Sequence, residues 1–245
     1  MTMIGVGIPP LHGEPDAAYY ADVCAKLEPP WWYDWRYGQI GTPGYRPMIW
    51  WLRTTEDNFV LGLEAAAQNP NEMFLLGNEP ELNGVQPDEA ARAMRTWQKR
   101  VGSWAVEYAA CGVNVSLHRI SGALAWLDGY LREGGVVPPL WHVHVYGDAG
   151  QFVRALAIFE QWMDDNHVRR PVIVSEFAHE IEYAPLMLAV ERMIDDGRLH
   201  SAAWFSAYYE DWPEPSLLTA GGELTQIGEA YVAERHVVSL PAVMA

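Results

Sequence analysis

The sequence predicts a (β/α)8 TIM barrel, α/β in class, built as a single compact domain over residues 1–245. Two observations carry that prediction, and a third marks the rim at which a site would lie. Short apolar runs alternate with longer segments at helical period, giving eight strands each followed by a helix, the rhythm of a parallel sheet covered by helices. The strand candidates are apolar on both faces, as burial on both sides requires. Their C-terminal ends are rich in polar and titratable residues, whereas the other ends offer mostly Pro, Arg and Asn. A doubly wound open sheet is the alternative, but "GVGIPPLHG" does not fit the GxGxxG turn that such a sheet usually carries.

The elements follow in order. "MIGVGI" (Met3–Ile8) is the first strand, and "PDAAYYADVCAKL" a helix with Asp16 in its first turn. "WWYDW" (Trp31–Trp35) and "PMIWW" (Pro47–Trp51) are the second and third strands. "TEDNFVLGLEAAAQ" is a helix with Thr54 or Thr55 as N-cap, whose hydroxyl can accept from an orphan backbone N–H. "MFLLGN" (Met73–Asn78) is the fourth strand. "PDEAARAMRTWQKRVGSWAVEYAA" opens with Pro87 and acidic residues, and Gly112 follows its end, as helix termini prefer. "VNVSLH" (Val113–His118) is the fifth strand, and "ALAWLDGYLREGG" a weaker helix. "LWHVHVY" (Leu140–Tyr146), "PVIVSEF" (Pro171–Phe177) and "AAWFSAY" (Ala202–Tyr208) complete the strands. Their helices are "AGQFVRALAIFEQWMDDN", "APLMLAVERMIDD" and "TQIGEAYVAERH". No repeat or domain linker interrupts the series.

Composition narrows the function classes. Half the residues are hydrophobic, enough for a sizeable core. The net charge of −16 repels nucleic acid and anionic membranes, and no Lys/Arg cluster offsets it. A neutral substrate meets no such repulsion. The 12 Trp and 12 Tyr supply flat faces that stack on sugar rings as well as packing a core. Cys24 and Cys111 form neither a disulfide framework nor a zinc spacing. The N-terminus lacks a signal peptide's basic region and apolar length, so the chain reads as cytoplasmic or as an exported domain without its leader. No segment approaches the roughly 20 apolar residues of a membrane span. There is no GxSxG elbow and no P-loop, and no cofactor is called for.

A barrel of this kind keeps its active site at the C-terminal strand ends. There, Glu79 follows Asn78 on the fourth strand and Glu176 follows Ser175 on the seventh. Strand alternation puts Val172, Val174 and Glu176 on one face, and His142, His144 and Tyr146 on another. Two facing carboxylates are the minimum apparatus for glycoside hydrolysis, one held protonated for the leaving oxygen and one ionised to attack carbon. Glu79 alone also reads as the solvated end of a strand, and Glu81 as a loop carboxylate. Glu176 sits inside an apolar run, where a solvated end does not fit.

The segments "WWYDW", "PMIWW", "LLGNEP", "HVHVYG", "VIVSEFA" and "AAWF" resemble, in order, those of the glycosyl hydrolase catalytic core family, which includes endo-β-1,3-glucanases. That family belongs to the clan of retaining (β/α)8 glycosidases with glutamates on strands four and seven. The resemblance implies Glu79 as general acid/base and Glu176 as nucleophile. It implies Asn78 as the partner of the sugar 2-hydroxyl and Tyr146 as the phenol that orients the nucleophile. His144 would line the same subsite, Trp204 would be the floor on which the sugar stacks, and the Trp204–Phe205 peptide would be cis. The sequence departs from the family at three places: no aromatic residue separates Gly77 from Asn78, Asp34 stands where Asn is common, and strand five ends "SLHRISGA".

Among the other aromatics, Tyr33, Trp35 and Trp50 are candidate sugar-binding walls. Trp31 and Trp32 read as core, and Trp97, Trp104, Trp126 and Trp162 as helix packing. The implied partner is an oligosaccharide or polysaccharide, a β-glucan with β-1,3 linkage favoured, bound by a monomer. Two other readings stay open: a carbohydrate-binding protein whose chemistry is lost, and a metal-dependent sugar isomerase or epimerase. The second would draw on His118, His142, His144, His179, Asp148 and the two glutamates, although no ligand motif such as HExxH is present.

Overall fold

Every strand pairing in the computed structural model is parallel, and the eight strands run in the order β2-β1-β8-β7-β6-β5-β4-β3. The structure describes residues 3–10, 17–38, 43–49, 55–68, 73–104 and 106–237. In chain order the elements are β1 (Ile4–Gly7), α1 (Ala17–Leu27), β2 (Trp32–Tyr33), β3 (Met48–Ile49), α2 (Glu56–Ala67), β4 (Phe74–Leu76), α3 (Pro87–Trp104) and β5 (Tyr108–Asn114). They continue with α4 (Ile120–Arg132), β6 (Leu140–His144), α5 (Ala149–Asp165), β7 (Val172–Phe177), α6 (Tyr183–Asp195), β8 (Ser201–Phe205) and α7 (Gln226–Val237). The seam between β2 and β3 is bridged by main-chain bonds from the segment before β3. Arg46 N–H donates to Trp32 O at 2.8 Å and Met48 N–H to Arg36 O at 2.7 Å. The result is a nearly closed (β/α)8 barrel.

Two expectations about the elements are corrected. β2 is followed by no helix among the described residues, so the helices number seven. The third helix ends at Trp104, and residues expected in its last turns belong instead to β5, which starts at Tyr108. "YAAC" has the composition of a helix, but it is buried throughout as a strand. Gly112 is therefore no helix terminator. It lies inside β5 at φ +71°, where the pairing with β6 shifts between Cys111 and Val113.

Helix starts follow local chemistry. Thr55 caps α2 by accepting from Asn58 N–H, and Pro87, Asp88 and Glu89 open α3. Asp16 lies outside the described residues. Asp148 and Gln151 cap α5 reciprocally.

The barrel has two apolar layers. Its interior is filled by a small cluster including Trp31, Tyr33, Met48, Leu75, Ile173 and Ala203. A larger cluster lies between strands and helices and includes Trp32, Val143, Val172, Val174 and Trp204. Rings carry much of that outer layer. Trp97 stacks on Phe59 at 5.0 Å, Trp126 on Tyr130 at 5.7 Å and Trp162 on Phe159 at 5.6 Å. Burying a large apolar side chain in this way stabilises by about 1.5–3 kcal/mol. Trp104, expected to pack likewise, is 42% exposed because it sits at the end of α3.

Candidate active site

Two interlocked glycines set the first carboxylate in place. Gly77 follows β4 at φ +88°, and a Cβ there would meet the Cys111 carbonyl oxygen at 2.5 Å. A Cβ on Gly112 would meet the Gly77 carbonyl oxygen at 2.4 Å. Only glycine lets the two backbones approach so closely. The chain then turns at Glu79, itself at φ +44°, whose N–H donates to Gly112 O at 2.7 Å. Asn83 closes the turn, its amide donating to the carbonyls of both Asn78 and Glu79 at 3.0 Å.

A register break brings the second carboxylate inward. His142 pairs with Ile173 and Val143 with Val174, but His144 pairs with Glu176, which leaves Ser175 as an extra residue in β7. Val172 and Val174 consequently pack outward against helices while Glu176 faces the barrel mouth, contrary to simple alternation. On β6 the alternation holds through His142, His144 and Tyr146, all of which make contacts on the inner side.

Glu176 is 4% exposed and both its oxygens are held. Trp35 Nε1–H donates to Oε1 at 2.8 Å, and the Tyr146 hydroxyl donates to Oε2 in a very short bond. Glu79 retains 23% side-chain exposure to the cleft. His144, fully buried, lies between the two, its Nδ1 3.2 Å from Glu79 Oε1 and 3.4 Å from Glu176 Oε2. One oxygen from each glutamate and a ring nitrogen of His144 lie within 4.8 Å of one another.

The electrostatics form one coupled unit. Burial pushes Glu176 up, His144 draws it down, the neighbouring Glu79 charge adds to the rise, and the net is upward despite the Tyr146 and Trp35 donors. Burial also pushes Glu79 up, but the His144 hydrogen bond and charge, the Asn114 amide and Arg119 outweigh it, and Glu79 moves down. Burial alone would lower His144, yet the charge of Glu176 and the contact with Glu79 raise it. His142, whose Nε2 meets Ser175 Oγ, is driven well down by burial and stays neutral. The expected order, a protonated Glu79 beside an ionised Glu176, is therefore reversed in the directions of the two shifts, because the imidazole donates to Glu79.

A cleft of about 1000 Å³ opens above these groups. Its aromatic surfaces are Trp35, Tyr146, Phe205 and, from the loop after β8, Tyr208, Tyr209 and Trp212. Trp212 stacks obliquely on Phe205, with centroids 6.2 Å apart and planes inclined at 30°, and its indole N–H donates to Glu180 at 2.8 Å.

The expected site residues divide accordingly. Asn78, Glu79, Tyr146, Glu176 and Trp35 converge on the cleft. Trp35 does more than form a wall, since it also holds Glu176. His144 lies beneath the carboxylates and has no surface with which to line a subsite. Tyr33 is fully buried inside the barrel, its hydroxyl donating to Ser175 O at 2.8 Å and its ring packed on Trp35, so it supports a wall without being one. Trp204 is fully buried on the helix side, between Phe177 and Tyr183, with its indole N–H bound to Pro215 O. It cannot be the sugar floor, and Phe205, next in the strand, points into the cleft instead. Among the described residues the cis bonds are Ala110–Cys111 and Phe205–Ser206, not Trp204–Phe205. Trp50 lies outside the described residues.

Asp34, which stands where Asn is common in the family, borders the cleft but turns away from solvent. It is 1% exposed and accepts from the Tyr20 and Tyr45 hydroxyls at 2.8 and 2.9 Å. Of the proposed metal ligands, His179 Nδ1 accepts from Ile181 and Glu182 N–H and Asp148 caps α5, so neither joins the cluster of Glu79, His144 and Glu176. The oxygens of that cluster already receive protein donors from Trp35, Tyr146 and Asn114.

Asn114 was missed by sequence reasoning, as was the work of Glu81. Asn114 Nδ2–H donates to Glu79 Oε1 at 2.9 Å. Glu81 Oε1 accepts from Asn114 N–H at 2.6 Å, so it is more than a loop carboxylate. The "VN" at the end of β5 carried no motif, and placing that strand five residues late hid it. Phe205 could have been found by continuing the inward phase of Ala203.

A pair of close carboxylates at the C-terminal mouth of a (β/α)8 barrel, under an aromatic cleft, is the site of a glycoside hydrolase. The chain belongs to the glycosyl hydrolase catalytic core family, whose sequence pattern matches residues 21–231. No curated protein sequence matches it. Among solved structures it is similar to a GH128 (subgroup VI) exo-beta-1,3-glucanase from Aureobasidium namibiae, with TM-score 0.68, 20% identity and coverage of 95% of this chain and 97% of that one. It is also similar to a GH128 (subgroup II) endo-beta-1,3-glucanase from Pseudomonas viridiflava, with TM-score 0.65, 21% identity and coverage of 98% and 99%. A third is a GH128 (subgroup I) endo-beta-1,3-glucanase mutant from Amycolatopsis mediterranei in complex with laminarihexaose, with TM-score 0.65, 21% identity and coverage of 95% and 99%. At these identities the likeness is one of fold.

Proposed function

We propose that the protein is a retaining glycosidase that cleaves β-1,3-glucan, with Glu176 as nucleophile and Glu79 as acid/base. The observation that carries this reading is the carboxylate pair itself. One oxygen of each lies within 4.8 Å of the other, which supports the short carboxyl separation of retaining enzymes over the wider one of an inverting pair. The fold likeness to β-1,3-glucanases supports the linkage.

The two environments divide the roles. A nucleophile must be aimed, and Glu176 is buried with a donor on each oxygen. An acid/base must reach both the leaving oxygen and water, and Glu79 is the carboxylate left partly open to the cleft. A sugar bound against Glu79 displaces water from it and raises its pKa, which favours the protonated form there. Glu176 then attacks the anomeric carbon, the glycosidic C–O bond breaks, and the Glu79 proton goes to the leaving oxygen. Glu79 next takes a proton from water, whose oxygen attacks the same carbon and releases Glu176. Asn78 Oδ1, buried at the cleft wall and without a protein donor, accepts from a sugar hydroxyl. Phe205 and Trp212 supply the stacking surface expected of Trp204. The chain acts as one domain and as a monomer.

The test is hydrolysis of laminarin, barley β-glucan, xylan and mannan, with products followed by proton NMR. Retention gives the β-anomer first, and appearance of the α-anomer first overturns the mechanism. Glu176→Gln should lose essentially all turnover while melting as the wild type does, and unchanged hydrolysis by that variant removes its role.

A further inference from the structure

Asn114 binds both halves of the site, and nothing in the motif pair requires it to. Its amide Nδ2–H donates to Glu79 Oε1 at 2.9 Å. Its Oδ1 accepts from the Ser116 hydroxyl at 2.6 Å and from Ser116 N–H at 3.1 Å. The same hydroxyl accepts from Tyr146 N–H at 2.8 Å, and Tyr146 in turn donates its phenol to Glu176. Glu81 anchors the other side by accepting from Asn114 N–H at 2.6 Å. Asn114 is 6% exposed and Ser116 fully buried, so water has little access to the bonds between them.

The amide orientation follows from this network. An Asn amide offers an acceptor on one side and a donor on the other. Ser116 presents two donors to Asn114, its backbone N–H and its hydroxyl, which obliges Oδ1 to face it. The N–H2 group is then left facing Glu79. The bulge at Gly112 makes the placement possible, because it resets the phase of β5 so that Asn114 turns inward between Val113 and Val115, which pack outward.

We propose that Asn114 is the positioning residue of this site: locked by Ser116 and Glu81, it aims the Glu79 carboxyl and couples its placement to that of Tyr146 and Glu176. The assignment of Glu79 as acid/base rests on the function proposed above, but the coupling does not. Glu79 is faced by His144 from β6, Glu176 from β7, the Tyr33 and Tyr146 phenols, Arg119 before α4 and Glu81 on its own loop. Asn114 is the neutral donor among them, and a donor favours the ionised carboxylate.

The experiment is a titration of Glu79 by carbon NMR in protein labelled with [δ-13C]glutamate, with the signal assigned by its loss in Glu79→Gln. Asn114→Ala should raise the Glu79 midpoint by about half to one unit, the scale of one partly exposed charge-assisted hydrogen bond. Asn114→Asp keeps the acceptor toward Ser116 and presents a second carboxylate to Glu79, so it should raise the midpoint further. Ser116→Ala frees the amide to turn and should shift Glu79 in the same direction by less. A Glu79 midpoint equal to that of the wild type in Asn114→Ala overturns the proposal, and Asn114→Asp serves the same end if the alanine variant does not fold.

A kinetic arm separates positioning from general loss of structure. With laminarihexaose, kcat/KM of Asn114→Ala should fall about ten- to a hundredfold. With a 2,4-dinitrophenyl β-glucoside, whose departure needs no proton, glycosylation should fall much less. Equal losses on both substrates overturn the proposal. If the wild type hydrolyses neither compound, the proposed function fails, and the titration still decides the role of Asn114.

Discussion

Gly112→Ala tests the geometry on which the site depends. The added Cβ would sit 2.4 Å from Gly77 O and 3.1 Å from Asn78 Cα, and residue 112 is held at φ +71°. The left-handed conformation costs an ordinary residue about 1–2 kcal/mol, and forcing a methyl into packed backbone about 1–3 kcal/mol more. Together these give about 2–5 kcal/mol, or a melting temperature lower by about 4–20 °C for a domain of this size. The displaced atoms are the carbonyl before Asn78 and the Cα carrying its side chain, one residue from Glu79. Movement of about 1 Å there costs about a hundredfold in rate. Calorimetry and kcat/KM on laminarin read the two effects separately. Gly102→Ala is the control, since its Cβ would meet nothing within 4 Å on α3. There alanine should stabilise by up to about 1 kcal/mol and leave the rate alone. A Gly112→Ala protein with the melting temperature and rate of the wild type would refute the interlock of β4 and β5.

Two further predictions address the charges. Tyr146→Phe removes the O–H donor to Glu176 Oε2, which favours the ionised form, so the acidic limb of kcat/KM should move to higher pH by about one unit. A limb that stays where it was separates Tyr146 from the ionisation of Glu176. Asp34 is held above the ordinary carboxylate value by burial, against the Tyr20 and Tyr45 donors. The folded state therefore binds its proton more tightly than the unfolded chain does, and stability is lost as pH rises from the unfolded value to the folded one. Asp34→Asn removes that loss, so its melting temperature relative to wild type should climb through this window and level off above it. A difference independent of pH refutes the assignment.

The glutamate pair was legible because strand ends are marked by where apolar runs stop, and a barrel sends all such ends to one rim. "LLGNEP" and "VIVSEFA" each carry a glutamate at or near the end of an apolar run, and both glutamates reach the cleft. Phase was the less legible quantity. Alternation assigned Val172, Val174 and Glu176 to one face, but Ser175 is an extra residue and reverses the count before Glu176. Gly112 does the same ahead of Asn114. On β8 the resemblance pointed to Trp204, whereas the residue that faces the cleft is Phe205. Bulges depend on which carbonyls a neighbouring strand presents, and no local propensity encodes that. The end of α3 failed for a related reason, since "YAAC" suits a helix until burial on both sides decides otherwise.

Periodicity and composition determined the fold class, the lack of a helix long and apolar enough to cross a membrane among the described residues, the net charge of −16, and the two glutamates that line the cleft. These follow from the sequence because they depend on counts and spacings along one chain. Tertiary structure alone decided what the carboxylates touch. It put His144 between them, turned the Trp35 indole to Glu176, buried Asp34 under two tyrosines, and made Asn114 the link from Glu79 to Tyr146. Each of those contacts joins residues from different strands or loops, and its existence rests on register and on a few tenths of an ångström of backbone approach that a linear pattern does not contain.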